Sequence, residues 1–352
     1  EISLGLVGSE MCIRDRTRVL RKLREEVKMN SKQQRPLKKL LGIRGMGAAL
    51  TAFVGLIIIY IAFGIINPAV FSGQNILNLL RSMSKYLLIG IAQSYVLITG
   101  NIDLSIGSMV GMSAMITATL MTGGMNPILA IVIALVACLA VGVVNGYLVG
   151  KFKLPPFIAT LGTMFIARGI AYIVNNNRNT DNIASGIGKE AGDRFQNIFY
   201  YGKTAGIFNT FWIALIIFLI FWFFLARTRS GRHIYAIGSN VDAARLSGVD
   251  VVKTTMKAYM VSGFCSAIVG FVLCAQAGMG NMDAGNMYEM YGVAAGVIGG
   301  VSPLGGSGIL LGTFAGAGVW QTLENGLNLI HAQVGFQRII IGVIVVGAVL
   351  LD

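Results

Sequence analysis

Apolar residues in this chain fall in long blocks, not in stripes. The blocks lie at about 48–67, 82–99, 104–123, 128–150, 157–175, 208–226, 257–277, 291–305, 308–326 and 336–351. A helix crosses a bilayer core with about 20 largely apolar residues, within a range of about 17–25. The pattern therefore predicts an all-α integral membrane protein with about ten transmembrane helices. Several blocks are at the short limit and joined by brief links, which predicts that some helices are broken, tilted or re-entrant. Composition agrees: the 352 residues are 55% hydrophobic and 12% charged, against about 25% charged in a soluble domain, and the mean hydropathy is +0.72.

Charge sets the expected orientation. The net charge is +13, and twelve of the 28 Lys and Arg precede residue 48 alongside five acidic residues. A basic flank marks the cytoplasmic side and attracts anionic lipid. Residues 1–47 are therefore read as a basic cytoplasmic tail and 48–352 as the membrane domain, with membrane lipid and not nucleic acid as the partner of the charge. Residues 1–28 look foreign to the rest, and Met29 is the more natural start. Counting inward from that tail, the fourth block ends at Lys151 and Lys153 and the sixth at Arg227 and Arg229, both inside. The mixed-charge stretch 176–207 then falls outside.

The most polar internal run is 226–257, with six basic residues against Asp242 and Asp250. Its middle, Asn240–Gly248, reads as a short helix that Asn240 or Ser239 caps and Gly248 stops. So short a helix is unstable alone and needs a surface to dock on. Asp103, between the second and third blocks, reads either as a contact for a polar solute or as the cap of the helix that follows. Arg168, Glu289, Glu324 and Arg338 are the other ionisable residues near apolar blocks. That scarcity argues against ion coupling. Pro155 and Pro156 fix the entry of the fifth helix, and Thr160 and Thr163 share one face of it, free either to line a path or to bond the backbone. Glycines at 292, 296 and 300 and at 308, 312 and 316 repeat every four residues, a packing ridge. Two Gly-punctuated breaks, Thr99–Gly111 (TGNIDLSIGSMVG) and Gly299–Gly312 (GGVSPLGGSGILLG), align at an offset of 200 and suggest an internal repeat.

Catalytic chemistry is not legible. His233 and His331 stand far apart, and Cys12, Cys138, Cys265 and Cys274 have no metal spacing. Gly202-Lys203-Thr204 resembles the end of a phosphate loop, but Asn197 stands where that loop needs glycine. No cofactor is expected, and any ATP chemistry must come from another chain.

Gly231–Gly248 (GRHIYAIGSNVDAARLSG) resembles the coupling loop of the permease subunits of bacterial sugar ABC importers of the ribose, galactose and xylose type. Thr99–Gly111, Leu154–Met164 (LPPFIATLGTM) and Ile298–Gly308 (IGGVSPLGGSG) resemble other motifs of that family, in the same order, over about residues 48–352. The resemblance implies a non-catalytic translocation subunit in the bacterial inner membrane. Its implied partners are a cytoplasmic ATP-binding subunit, a periplasmic sugar-binding protein and a second permease copy. It assigns Gly231, Arg232, His233, Ala236, Gly238, Asn240, Ala243, Ala244, Arg245 and Gly248 to ATPase coupling. It places Asn101, Asp103, Ser105, Pro155, Pro156, Thr160, Thr163 and Glu289 along the translocation path or its gate. One departure stands out: Tyr288–Ala295 keeps Glu289 but has Tyr291 where the family commonly has aspartate. The alternatives are a permease for another small solute, an amino acid or nucleoside, and an ion-coupled secondary transporter.

Overall fold

The computed structural model describes residues 46–333 and, beyond them, 335–337, 339, 340, 342, 343 and 347. The basic tail to residue 45, Arg338 and most of the tenth apolar block lie outside the described residues. The chain divides into a unit of residues 1–47 and a unit of residues 48–352.

The apolar blocks fold as helices: α1 (Met46–Ile66), α2 (Gly73–Ile98), α3 (Ile106–Thr122), α4 (Pro127–Phe152) and α5 (Pro156–Ile173). After the stretch 176–207 come α8 (Asn209–Arg227), α11 (Val251–Ala277), α12 (Tyr288–Ile298) and α13 (Leu310–Leu329). Among the described residues five of these, α1, α4, α5, α8 and α11, are both long and apolar enough to cross a membrane. The 11 residues of α12 reach only about 16 Å, so the eighth block is a half-helix, of the broken kind the sequence predicts. Two helices begin earlier than hydropathy alone suggests. Ser72 Oγ accepts from the Asn75 amide and starts α2. Asp250 accepts from the Lys253 amide and starts α11.

Helices α2, α3 and α11 form the centre. Their largest fully buried side chains include Leu88, Ile91, Met109, Met112, Met115, Tyr259 and Phe271. Around them α1, α4, α5 and α8 expose Ile57, Ile65, Val132, Val136, Phe165, Ile166, Leu219 and Phe223. An apolar skin of that kind suits lipid, which satisfies no polar group and demands none.

The stretches read as polar loops are structured. The stretch 176–207 and the residue after it hold α6 (Ala184–Ile187), α7 (Lys189–Gln196) and a hairpin of two-residue strands, β1 (Lys203–Thr204) with β2 (Ile207–Phe208). Lys203 there lies 4.7 Å over the Phe208 ring, in a hairpin and not ahead of a phosphate-binding helix. The run 226–257 holds α9 (Arg229–Ser239) and α10 (Val241–Leu246) before α11 begins. Of these, only α10 is legible from caps alone.

The links collect at two poles. At one, the α4 C-terminus packs on the start of α11 through Gly150 and Val252, and Lys257 donates to Ser230 of α9 (3.1 Å). At the other, Asn67 donates to the Leu329 carbonyl (3.0 Å), and the Thr180 amide donates to the Gly280 carbonyl. Helices α9 and α10 sit at the first pole.

The two Gly-punctuated breaks end their helices alike. The Gly100 amide donates to Leu97 and the Asn101 amide to Val96; the Gly300 amide donates to Val297 and the Val301 amide to Gly296. Gly100 and Gly300 have φ of 77° and 78°. These are the same left-handed helix stop made twice at an offset of 200. The same stop also ends α3 at Gly124 and α10 at Gly248, so it is a common helix ending and not by itself a mark of corresponding units. The glycine ridges serve the contact: Gly312 and Gly316 of α13 lie against Gly299 and Ala295, where a side chain would meet a carbonyl.

Candidate functional site

Helix α9 starts where Thr228 Oγ1 accepts from the Gly231 amide (3.2 Å), and Gly231 is buried against the Leu225 backbone. Arg232 points to solvent, and His233 and Ala236 are half-buried. Gly238 occupies the tightest place. A Cβ there would run into the Ile98 carbonyl and the Gly306 amide, and that amide donates to Ile98 O (2.9 Å). The last turn of α9 is thus seated on the end of α2 and on the second break together. Tyr235 adds a bond to the second break, its hydroxyl donating to the Gly308 carbonyl at 2.6 Å.

Asn240 ends α9 and caps α10, its side chain accepting from the Ala243 amide at 2.8 Å. Of the two caps the sequence allows, Asn240 is the one used. Ala244 turns inward, while Ala243 and Arg245 face out. Arg245 approaches Asp242 at 3.6 Å on an exposed face, a contact worth only a few tenths of a kcal/mol. Gly248, at φ 82°, follows the helix. Two apolar side chains stand in solvent at this pole: Leu246 is 90% exposed and Leu304, at the tip of the second break, 89%.

The first break is wired by side chains. Asp103 is fully buried. Its Oδ1 accepts from the Ser105 amide (2.9 Å) and the Ser105 hydroxyl (2.6 Å), and its Oδ2 accepts from Ser262 of α11 (2.7 Å). Ser105 Oγ accepts from the Asn145 amide of α4 (2.9 Å), and Asn145 Oδ1 accepts from Thr163 of α5 (2.7 Å). Each donor in this line points toward the carboxylate. Three donors on an Asp are what an anion needs in a buried place. The chain ties α4, α5 and α11 to the entry of α3. Asn101 stays local, donating to Thr99 Oγ1 at 2.8 Å.

The remaining sequence candidates lie apart from this line. Pro155 and Pro156 open α5 as its cap and first residue. Thr160 returns its hydroxyl to the Pro156 carbonyl (2.8 Å). Glu289, in the first turn of α12, sets its carboxylate against Gly107 of α3. Arg168 faces the same region and donates to the Met282 and Ala284 carbonyls. Sequence reasoning passed over Asn145, Ser262 and Tyr235. The first two are polar residues inside apolar blocks, and that alone marks them. It also left out Arg81 and Lys85, the second of which lies within the predicted block 82–99.

A family model described as branched-chain amino acid transport system / permease component matches residues 75–349. The chain is 36% identical to a ribose import permease protein of Bacillus subtilis, over 92% of this chain and 98% of that one. It is 35% identical to a D-allose transport system permease protein of Escherichia coli, over 85% and 90% of the two chains. It is 33% identical to a galactose/methyl galactoside import permease protein of Haemophilus influenzae, over 84% and 92%. No solved structure matches the chain.

Proposed function

The chain belongs to the branched-chain amino acid transport system / permease component family, and from that premise we propose that it is the permease subunit of an ATP-driven importer of a monosaccharide. It is a multi-pass protein of the bacterial inner membrane without catalysis of its own. A periplasmic binding protein delivers the sugar, and a separate cytoplasmic ATP-binding subunit supplies the work. A second permease copy completes the path. In this reading 226–257 is the coupling segment: α10 meets the ATP-binding subunit, and α9 passes the movement to both helix breaks. Asp103, Ser105, Thr163 and the Pro155–Thr160 entry hold or line the gate.

The observation that carries the reading is the seating of Gly238 on Ile98 and Gly306. Helix α9 packs on the first break at Ile98 and is hydrogen-bonded to the second through Tyr235, so a push on it reaches both, as alternating access by rigid elements needs. The sugar is favoured by the relatives, three different sugar permeases at 33–36% identity. The family's own description favours a second reading, a branched-chain amino acid. Proteoliposomes holding the permease with its ATP-binding subunit, fed by its binding protein, separate them. ATP-dependent uptake of labelled ribose, allose or galactose is expected. Uptake of leucine and of no sugar would replace the first reading by the second.

A further inference from the structure

Helices α2, α12 and α13 meet around four aromatic rings that the coupling and gating roles do not use. Tyr86, near the middle of α2, stands edge-on to Tyr291 at 5.7 Å, and Tyr291 lies 5.0 Å from Trp320. Tyr288 completes the group, 5.6 Å from Tyr291. Polar atoms border the rings. The Tyr86 hydroxyl donates to Glu324 Oε2 at 2.7 Å. Beside it, Lys85 donates to Gln276 at 3.3 Å.

Two turns along α2 from Tyr86, Gln93 is fully buried and packs beside Gly292, the residue after Tyr291. Neither its amide nitrogen nor its amide oxygen has a partner, and Gln321 Oε1 on α13 is bare as well. A buried amide left unpaired costs about 1–3 kcal/mol for each group. A helix that needed only packing here would carry Leu.

An apolar ring surface, a carboxylate already sharing a hydroxyl proton, and a free amide together complement one class of ligand. A neutral polyhydroxylated solute lays its C–H face on the rings and gives its hydroxyls to the polar atoms, the usual division of labour in a small-molecule site. We propose that Tyr86, Gln93, Tyr291, Trp320 and Glu324 form a solute contact site inside the membrane domain, for a neutral monosaccharide. Tyr291 and Trp320 supply the stacking surface, and Glu324 and Gln93 take hydroxyls. The rings touch in this conformation, so the solute enters when α12 parts from α2. Tyr291, the departure noted in the sequence, becomes a residue of specificity. The proposal rests on the permease reading.

Trp320 reports on the site directly. With Trp212 and Trp222 of α8 changed to Phe, its emission is the only tryptophan signal. The permease, purified and placed in nanodiscs, is titrated with D-ribose, D-allose and D-galactose, and with L-leucine as control. A saturable change with at least one sugar is expected, weakened at least tenfold by Glu324→Gln and by Gln93→Leu, with no response to leucine. Thermal unfolding of each variant is measured alongside. A purely structural cluster would lose stability in these variants while the emission ignored every sugar, and that result overturns the site. If the reconstituted transporter still imports sugar in that case, the permease reading survives and only this assignment fails. Import of leucine alone would instead remove the reading on which the assignment rests.

Discussion

Asp103 is the residue on which most of the first break depends. Three donors converge on its carboxylate and no described basic side chain bonds it, so the site is built around an acceptor. Asp103→Asn keeps the shape but turns one acceptor into a donor that faces another donor. That exchange should cost about 1–3 kcal/mol, read as a lowered unfolding temperature in detergent, together with a loss of uptake. Unchanged unfolding would mean that the carboxylate is not held as described. Asn145→Ala should act in the same direction but less, because Thr163 keeps the Ala159 and Thr160 carbonyls and Ser105 keeps Asp103, while the link from α4 to both is lost. The sequence made Asp103 legible, since a lone carboxylate between apolar blocks has few reasons to be there. Its choice between cap and solute contact was not legible. Its bond to Ser262, about 160 residues away along the chain, was not legible either, because no local pattern announces that meeting.

At the scale of elements, α9 and α10 divide one task. Helix α9 faces inward, with Ile234 and Ile237 buried, while α10 shows solvent Asp242, Arg245 and Leu246. Substitutions should separate the two. Gly238→Ala places a methyl against Ile98 and Gly306 and should lower uptake severalfold while the ATP-binding subunit still co-purifies. Arg245→Glu with Leu246→Asp should instead lose that subunit from the purified complex. Loss of the subunit in Gly238→Ala alone would reverse the assignment. Asn240→Ala removes the α10 cap, at about 1 kcal/mol, and should weaken subunit capture moderately. Caps and glycine stops revealed α10, because its signals lie within nine residues. Helix α9 was not revealed: Gly231 and Gly238 look like breakers in one dimension and prove to be close approaches in three. Blocks of hydropathy located the crossings but not their ends, since Ser72 and Asp250 start helices in polar sequence.

At the scale of the whole molecule, the two poles should lie on opposite sides of the membrane. In a background lacking Cys12, whose remaining cysteines are buried, Ser185→Cys should react with a membrane-impermeant maleimide applied to spheroplasts. Ser247→Cys should react only after lysis. The opposite labelling would invert the topology. The two breaks were legible from their glycines, but the hydrogen bonds that end α2 and α12 alike could not be read from letters. The duplicated stop at Gly100 and Gly300 has an electrical consequence. Because α2 and α12 run parallel, their two carbonyl ends arrive at one pole, each beside the amide end of the helix that follows it, α3 or α13. Each helix dipole carries about half a charge of opposite sign at those ends, so the fields largely offset one another across the breaks, and Asp103 lies just ahead of the amide end of α3. A break balanced in this way offers an ion no steep attraction. Moving one elementary charge through 100 mV involves about 2.3 kcal/mol. ATP-fuelled uptake into proteoliposomes should therefore hold constant when a membrane potential is imposed, and a rate that followed the potential would point to an ion moving with the cargo.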